Sequence, residues 1–203
     1  MTTVYFVRHA EPVHSEPVEL KRNLTEQGMK DTDEVVNYFK DKKVDVFYCS
    51  TYPRSIQTIQ STADYFKQEI HLDERLRERV SGAHNDHGLE TITRRWKDFN
   101  YCETDGECLN QLQHRNIEAL NEILGNHNGE TIVIGTHGAA LSSILNYYDS
   151  SYNLDDFMRI LDWMPYIIRF EFEGTKLISK HEEFYLERPY HIPKYRSNNK
   201  GFQ

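Results

Sequence analysis

Two short apolar stretches of this chain each run towards a histidine. Residues 4–7 read Val-Tyr-Phe-Val and are followed directly by Arg8 and His9, and residues 131–134 read Thr-Ile-Val-Ile shortly before His137. Runs rich in β-branched and aromatic residues predict buried strands. Ligands of an open parallel sheet bind beyond the carboxyl ends of its strands. Arg8 and His9 alone would also suit a solvated strand end, but the second histidine favours an anion site shared by both strands.

A third predicted strand leads to a further cation. Residues 44–50 are apolar and aromatic, Pro53 suits the first position of a helix, and apolar residues then recur at helical spacing from Ile56. Arg54 lies in the first turn of this predicted helix. A cation there opposes the positive end of the helix dipole, so we expect Arg54 to serve a bound anion rather than helix stability.

These motifs together resemble the histidine phosphatase superfamily, the phosphoglycerate-mutase-like enzymes. The family's Arg-His-Gly is similar to residues 8–10, and its later His-Gly is similar to residues 137–138. Further similar motifs follow in the expected order at residues 24–28, 49–58, 76–82 and 106–108, the last with Arg115 seven residues beyond. The resemblance implies an α/β fold: a three-layer sandwich with a mostly parallel central sheet flanked by helices.

The resemblance also implies roles for individual residues. His9 would attack phosphorus and form a phosphohistidine, and Glu78 would protonate the leaving oxygen. Arg8, Arg54 and His137 would supply cationic donors to the phosphate oxygens. For Glu78 a different interpretation is a surface carboxylate paired with Arg75 or Arg79. No metal or organic cofactor is implied.

The sequence departs from the family pattern at two positions. Ala10 replaces the glycine of Arg-His-Gly, and alanine would be strained there if the site needs a positive φ. Cys108 replaces a serine at the predicted start of a long helix, which removes a good N-cap hydroxyl. The motif at residues 24–28 is interpreted only as a helix cap.

Residues 83–105 fall where members of the family often carry a segment that covers the substrate. A helix is predicted around residues 89–96, and Arg94 and Arg95 are candidate ligands for a second anionic group, although a solvated helix face is the alternative. His84 and His87 have the spacing of metal ligands, but a solvated polar loop explains them better because no further ligands can be placed.

Length and composition narrow the class of protein. A chain of 203 residues suits a single domain over residues 1–203, ending in a basic tail from 188 to 203. The net charge of −8 disfavours a nucleic-acid or membrane surface, and no apolar run is long enough for a membrane span. Three cysteines without a Cys-x-x-Cys pattern argue against a disulfide framework, and we expect a cytoplasmic location. The expected partner is a small phosphorylated molecule, and the oligomeric state is left open.

The favoured function is therefore a phosphomonoester hydrolase that acts through a phosphohistidine. A cofactor-dependent phosphoglycerate mutase is the main alternative, but such mutases carry Asn after the second His-Gly, where this chain has Ala139, and different residues where it has Glu11 and Pro12. A metal-dependent hydrolase built from the ten histidines and a phosphate-binding regulatory module without turnover are the other two alternatives.

Overall fold

A computed structural model describes residues 1–82 and 88–189, which form six strands and six α-helices. The strands are β1 Thr2–Arg8, β2 Val46–Cys49, β3 Ile70–Leu72, β4 Thr131–Thr136, β5 Trp163–Glu173 and β6 Lys176–Glu187. The helices are α1 Glu26–Phe39, α2 Pro53–Phe66, α3 Leu89–Lys97, α4 Leu109–Asn126, α5 Gly138–Tyr148 and α6 Leu154–Arg159. His84, His87 and the predicted tail beyond Pro189 lie outside the described residues.

All six strands form one sheet in the order β3-β2-β4-β1-β5-β6. Strands β3, β2, β4 and β1 are parallel neighbours, whereas β5 runs antiparallel to both β1 and β6. The mostly parallel sheet is confirmed, and β5 and β6 form an antiparallel hairpin at its edge. Because β1, β2 and β4 are parallel, their carboxyl ends meet at the same edge of the sheet.

Helices cover both faces of this sheet, because residues alternate between the two sides of β1. Val4 and Phe6 pack with residues of α4 and α5 on one face, such as Leu120. Tyr5 and Val7 pack with residues of α1 and α2 on the other, such as Phe39. A strand buried on both faces reads as a continuous apolar run, as β1 does. The three-layer α/β sandwich is thus confirmed.

Local signals place the ends of three helices. Thr25 caps α1, and its Oγ1 accepts a hydrogen bond from Gly28 N at 2.9 Å. Pro53 occupies the first turn of α2. Cys108 stands in the N-cap position of α4, where its N–H donates to the side-chain oxygen of Gln111 at 3.1 Å. The helix therefore starts at the expected place, with Gln111 helping to satisfy the N-terminal turn.

The motif at residues 24–28 does more than cap α1. Thr25 also donates from N to the carbonyl of Glu11 at 2.9 Å, and from Oγ1 to the Glu11 carboxylate at 2.7 Å. A Cβ on Gly28 would lie 2.3 Å from the Glu11 carbonyl oxygen, so only glycine fits. The start of α1 thus anchors the loop that follows His9. Among the described residues, no helix is long and apolar enough to span a membrane.

Candidate active site

Three neighbouring strands bring the predicted site residues to one edge of the sheet. Arg8 lies opposite Thr136 in the pairing of β1 with β4, and His9 N donates to the Thr136 carbonyl at 3.2 Å. His137 follows on β4. On the other side of β4, Ser50 continues β2 and donates from N to the carbonyl of Gly135 at 3.1 Å. The parallel pairing therefore assembles a cluster from residues far apart in the chain.

His9 is buried and held in one tautomer. Its Nδ1 lies 2.8 Å from the carbonyl oxygen of Ala10. Because a carbonyl oxygen only accepts, Nδ1 carries the proton and Nε2 keeps its lone pair. Burial lowers the pKa of His9 well below its usual value, and the charges of Arg54 and Arg8 lower it further. The ring is therefore neutral, which is the form that a nucleophile needs.

Ala10 fits its position without strain. Within the described residues, positive φ angles at non-glycine positions occur only at Lys67 and Asp105. Ala10 is fully buried, and its N–H donates to Thr58 Oγ1 of α2 at 2.9 Å. The departure from the family's glycine is accommodated because this loop uses ordinary backbone angles.

His137 lies beside His9, with 5.3 Å between the ring centroids. It is fully buried. Burial holds its pKa well below the usual value, with further lowering from Arg54 and His9. Burial next to an arginine therefore favours the neutral imidazole over the cationic donor expected from the sequence. A neutral ring still has one N–H to donate.

Arg8 is anchored by a turn that precedes β5. Its guanidinium donates to the carbonyls of Leu161 at 3.0 Å and Trp163 at 3.1 Å, and also to the carbonyl of Ile160. A Cβ on Gly138 would lie 3.4 Å from this guanidinium, so Arg8 rests on the first turn of α5. These contacts hold the cation in place at the cluster.

Arg54 is also buried and held by its neighbours. Its Nη1 donates to the backbone carbonyl of Glu19 at 2.8 Å, and Nη2 lies 3.7 Å from the Glu19 carboxylate. The guanidinium carbon lies 4.9 Å from the ring centroid of Tyr52, a cation–π contact. The structure thus brings Arg54 into the cluster with Arg8 and both histidines.

Glu78 lies over the amino end of α5. Its carboxylate accepts hydrogen bonds from the N–H groups of Ala139 and Ala140 at 3.0 Å and of Arg79 at 2.9 Å. Arg75 instead pairs with Asp73, at 2.7 Å. The alternative of a surface ion pair for Glu78 is therefore wrong.

Two glycine-containing motifs hold the segment that carries Glu78. A Cβ on Gly82 would lie 2.5 Å from the Thr104 carbonyl oxygen, and one on Gly106 would lie 2.9 Å from Gly82 N. Arg115 donates to the carbonyls of Arg75, Arg77 and Glu78 at 2.6 to 2.9 Å, and pairs with Glu107 at 2.7 Å. Both motifs therefore position Glu78 through the backbone.

A cleft of about 850 Å³, including its open mouth, lies over this cluster. Arg8, His9, Arg54, Glu78 and Arg95 line it. Five further polar residues line the cleft: His14, Glu19, Arg22, Arg79 and Ser81. Arg79 and Ser81 belong to the motif at residues 76–82, which pointed only to Glu78 as a site residue, and the other three come from a loop without a recognised motif. Only the fold reveals that all five line the cleft. The cleft also has an apolar wall, formed by Ile92, Trp96, Leu109, Phe157 and Leu161.

Arg94 and Arg95 have different positions. Arg95 is buried, lines the cleft, and donates from Nε to Glu103 at 2.5 Å. Arg79 holds the other oxygen of Glu103 at 2.9 Å. Arg94 is exposed, does not line the cleft, and lies over the ring of Tyr101 at 4.0 Å. The helical spacing of α3 separates these two neighbours because adjacent residues of a helix point in different directions.

Within residues 1–82 and 88–189, no group of three or more His, Cys, Asp or Glu side chains could hold a metal ion. The absence of a cofactor stays a prediction.

The chain is similar to known proteins over most of its length. The model of the histidine phosphatase superfamily (branch 1) matches residues 4–177. A relative from Hydrogenobacter thermophilus, named "Putative phosphoserine phosphatase 2", is 25% identical over 158 residues, which cover 71% of this chain and 77% of that protein.

Solved structures share the fold over most of their length. YhfR of Bacillus stearothermophilus has a TM-score of 0.72 and 25% identity, covering 87% of this chain and 94% of its own. A phosphoserine phosphatase mutant from Entamoeba histolytica, in complex with phosphoserine, has a TM-score of 0.70 and 22% identity over 89% and 96% of the two chains. A mycobacterial glucosyl-3-phosphoglycerate phosphatase has a TM-score of 0.70 and 13% identity, covering 92% of this chain and 99% of its own.

Proposed function

The chain belongs to the histidine phosphatase superfamily and is a phosphatase, and we propose that it hydrolyses small phosphomonoesters through a phosphohistidine on His9. The observation that carries this proposal is the hydrogen bond from His9 Nδ1 to the Ala10 carbonyl. It leaves the lone pair of Nε2 at the cleft, in a ring kept neutral by burial and two arginines. A module that only binds phosphate has no need of a neutral nucleophile.

In the first step, the Nε2 lone pair attacks phosphorus as the bond to the ester oxygen breaks. Arg8 and Arg54 stabilise the charge on the phosphoryl oxygens, and His137 donates its one N–H. Glu78 delivers a proton to the departing alcohol oxygen. In the second step, water attacks phosphorus, the P–N bond breaks, and Glu78 takes a proton from that water.

The contacts of Glu78 indicate which of its oxygens carries this proton. Oε1 accepts two backbone hydrogen bonds, from Arg79 and Ala140, whereas Oε2 accepts one, from Ala139. A carboxylate oxygen has two lone pairs. Oε2 therefore retains a lone pair that can hold the proton, while Oε1 keeps the group aligned on α5.

We further propose that the substrate carries a second anionic group. Arg95 and Arg79 line the cleft, and the carboxylate of Glu103 pairs with both guanidinium groups. Phosphoserine, the ligand in one similar structure, has a carboxylate besides its phosphate. Arg95 is better placed than Arg94 for this contact, and helix α3 supplies it from within the predicted covering segment.

Trapping the intermediate tests the proposal. We expect brief incubation with a ³²P-labelled phosphomonoester, followed by quenching without acid, to label His9 in a bond that survives alkali and is lost in acid. His9→Ala should show no label, and peptide mapping should find none on Cys108. Label on a serine or cysteine, or phosphate release at the normal rate in His9→Ala, would contradict the proposal.

A substrate screen completes the test. Phosphate release should be measured over sugar phosphates, phosphoglycerates, phosphoserine, nucleotides and phosphopeptides, with a mutase assay alongside. Transfer of phosphate between phosphoglycerates without net release would favour the mutase alternative. Inhibition by a chelator would favour the metal-dependent alternative. The cytoplasmic location stays a prediction, to be tested by cell fractionation.

A further inference from the structure

A buried serine, Ser50, makes a close contact with His137. Ser50 follows β2 and is fully buried. Its Oγ lies 2.7 Å from Nε2 of His137 and accepts a hydrogen bond from Tyr52 N at 3.2 Å. The ring of Tyr52 packs against His137 with 5.1 Å between centroids, which leaves the imidazole little freedom to turn.

The direction of the Ser50–His137 hydrogen bond follows from the partners of Ser50. A hydroxyl has one proton to donate and two lone pairs. Among the described residues, Oγ has two partners, and Tyr52 N can only donate. The hydroxyl proton therefore has one acceptor there, Nε2 of His137. If Nε2 carried a proton instead, the buried hydroxyl would keep its own proton without an acceptor, which is costly.

The other nitrogen of His137 is also informative. Nδ1 is buried and has no hydrogen-bond partner in the part of the chain that the structure describes. In a neutral ring that accepts at Nε2, Nδ1 carries the proton. Buried N–H groups are normally hydrogen-bonded, so an N–H without a partner is available to a bound ligand. A phosphoryl group bound at His9, whose ring centroid lies 5.3 Å from that of His137, would supply such an acceptor.

We propose that Ser50 is a positioning residue that sets the tautomer of His137, so that Nδ1–H of a neutral imidazole is donated to the phosphoryl group during transfer. In the opposite tautomer the Nδ1 lone pair would face the phosphoryl oxygens and repel them. This inference rests on the proposed function for its ligand, but the tautomer itself is a property of the free protein.

Nuclear magnetic resonance tests the tautomer without any turnover. Long-range ¹H–¹⁵N spectra of the protein labelled at histidine should show, for His137, a protonated Nδ1 and an unprotonated Nε2, with signals assigned by their loss in His137→Gln. Ser50→Ala should move the ring towards the other tautomer or a mixture, whereas Ser50→Thr should keep the wild-type pattern. A protonated Nε2 in the wild type would overturn the proposal, even if Ser50→Ala fails to fold.

Kinetics then test the link to catalysis. Loss of one transition-state donor costs about 10²- to 10³-fold in kcat. Ser50→Ala keeps the imidazole of His137 and removes only the hydrogen bond that selects its tautomer, so kcat should fall by about 10- to 100-fold. In the His137→Gln background, the same change should cost less than about twofold, because residues acting through one group are not additive. Equal losses in both backgrounds would overturn the proposal.

Ser143→Ala is the matched control. Ser143 is a buried serine on α5 whose hydroxyl donates to the Ala140 carbonyl of its own helix at 2.7 Å. Removal of this hydroxyl in Ser143→Ala should leave the ring signals of His137 unchanged. The spectrum also separates the failure of this proposal from the failure of the proposed function. If His137 shows the predicted tautomer but His9 takes up no label, the phosphohistidine is rejected and the effect of Ser50 on the tautomer of His137 stands.

Discussion

At the scale of single residues, the candidate active site combines two neutral histidines with two charged arginines, and burial favours these protonation states. His9 and His137 are neutral because burial and adjacent arginines oppose a second positive charge. Arg8 and Arg54 remain the cations, each held by backbone carbonyls. In the proposed mechanism, the neutral ring of His9 is free to attack phosphorus while the two arginines attract the phosphate.

Arg54→Ala should lower kcat/KM by about 10²- to 10³-fold, because it removes one charged donor to the transition state. Phosphate-release kinetics measure the loss. Arg94→Ala is the control of equal size, since Arg94 is exposed and contacts Tyr101 outside the cleft lining. Near-normal activity in Arg54→Ala would show that this arginine serves only the contacts with Glu19 and Tyr52.

Glu78→Gln should separate leaving groups by their need for a proton. An alkyl alcohol leaves poorly unless protonated, so its phosphorylation step should slow by about 10²- to 10⁴-fold. A nitrophenolate leaves well unaided and should be affected much less. Single-turnover kinetics are needed, so that slower dephosphorylation does not conceal the contrast. Equal losses would mean that Glu78 only positions the start of α5.

At the scale of secondary-structure elements, the site depends on backbone contacts that need glycine. Gly82 and Gly106 let the segment carrying Glu78 pack directly against the segment before α4. Arg115 of α4 then binds three carbonyls of the same segment. Glu78 is therefore placed by elements that meet only in the folded chain.

Gly82→Ala should destabilise the protein by about 2 to 4 kcal/mol, because its Cβ would lie 2.5 Å from a backbone oxygen that cannot easily move. Gly125→Ala is the opposite case. Its Cβ would meet no atom within 4 Å, and Gly125 lies within α4, so the change should stabilise by up to about 1 kcal/mol. Urea unfolding measures both, and an unperturbed Gly82→Ala would contradict the close packing.

At the scale of the whole molecule, charge is distributed unevenly. The chain has a net charge of −8, yet five arginines line the cleft beside two carboxylates, those of Glu19 and Glu78. A cationic cleft in an acidic protein attracts a small anion without favouring polyanions over the rest of the surface. This distribution suits a small phosphorylated substrate.

The buried histidines should make the fold sensitive to mild acid. Both pKa values are lowered in the folded state, so below the ordinary value of about 6.5 the unfolded chain binds protons that the folded chain does not. The free energy of unfolding should therefore fall with pH below about 6.5, by about 1.4 kcal/mol per pH unit for each histidine, until the lowered pKa is reached.

Chemical denaturation at a series of pH values checks this prediction. Between pH 6.5 and 5, His9→Asn should reduce the slope of the free energy of unfolding against pH by about 1.4 kcal/mol per pH unit. The reason is that the variant lacks one group that takes up a proton on unfolding. His71→Gln is the control, since His71 is an exposed residue of β3. The same slope in wild type and His9→Asn would mean that other groups cause the acid sensitivity.

The sequence by itself determined the fold class, the strands β1, β2 and β4, and the start of α2. Buried strands need apolar runs and helices need periodic apolar faces, so β1, β4 and α2 were readable locally, and so was the polar residue at each strand end. His9, His137 and Arg54 were predicted as site residues from such local signals, whereas the role of Glu78 was implied by the family resemblance alone.

Only the tertiary structure decided how these groups are tuned. The protonation of His137 depends on burial and on Arg54, which is 83 residues away in the sequence, and its partner Ser50 lies just beyond the end of another strand. The difference between Arg94 and Arg95 depends on the orientation of one helix over the cleft. Such properties arise from contacts between distant segments, because desolvation and electrostatic interactions act through space and leave no local pattern in the sequence.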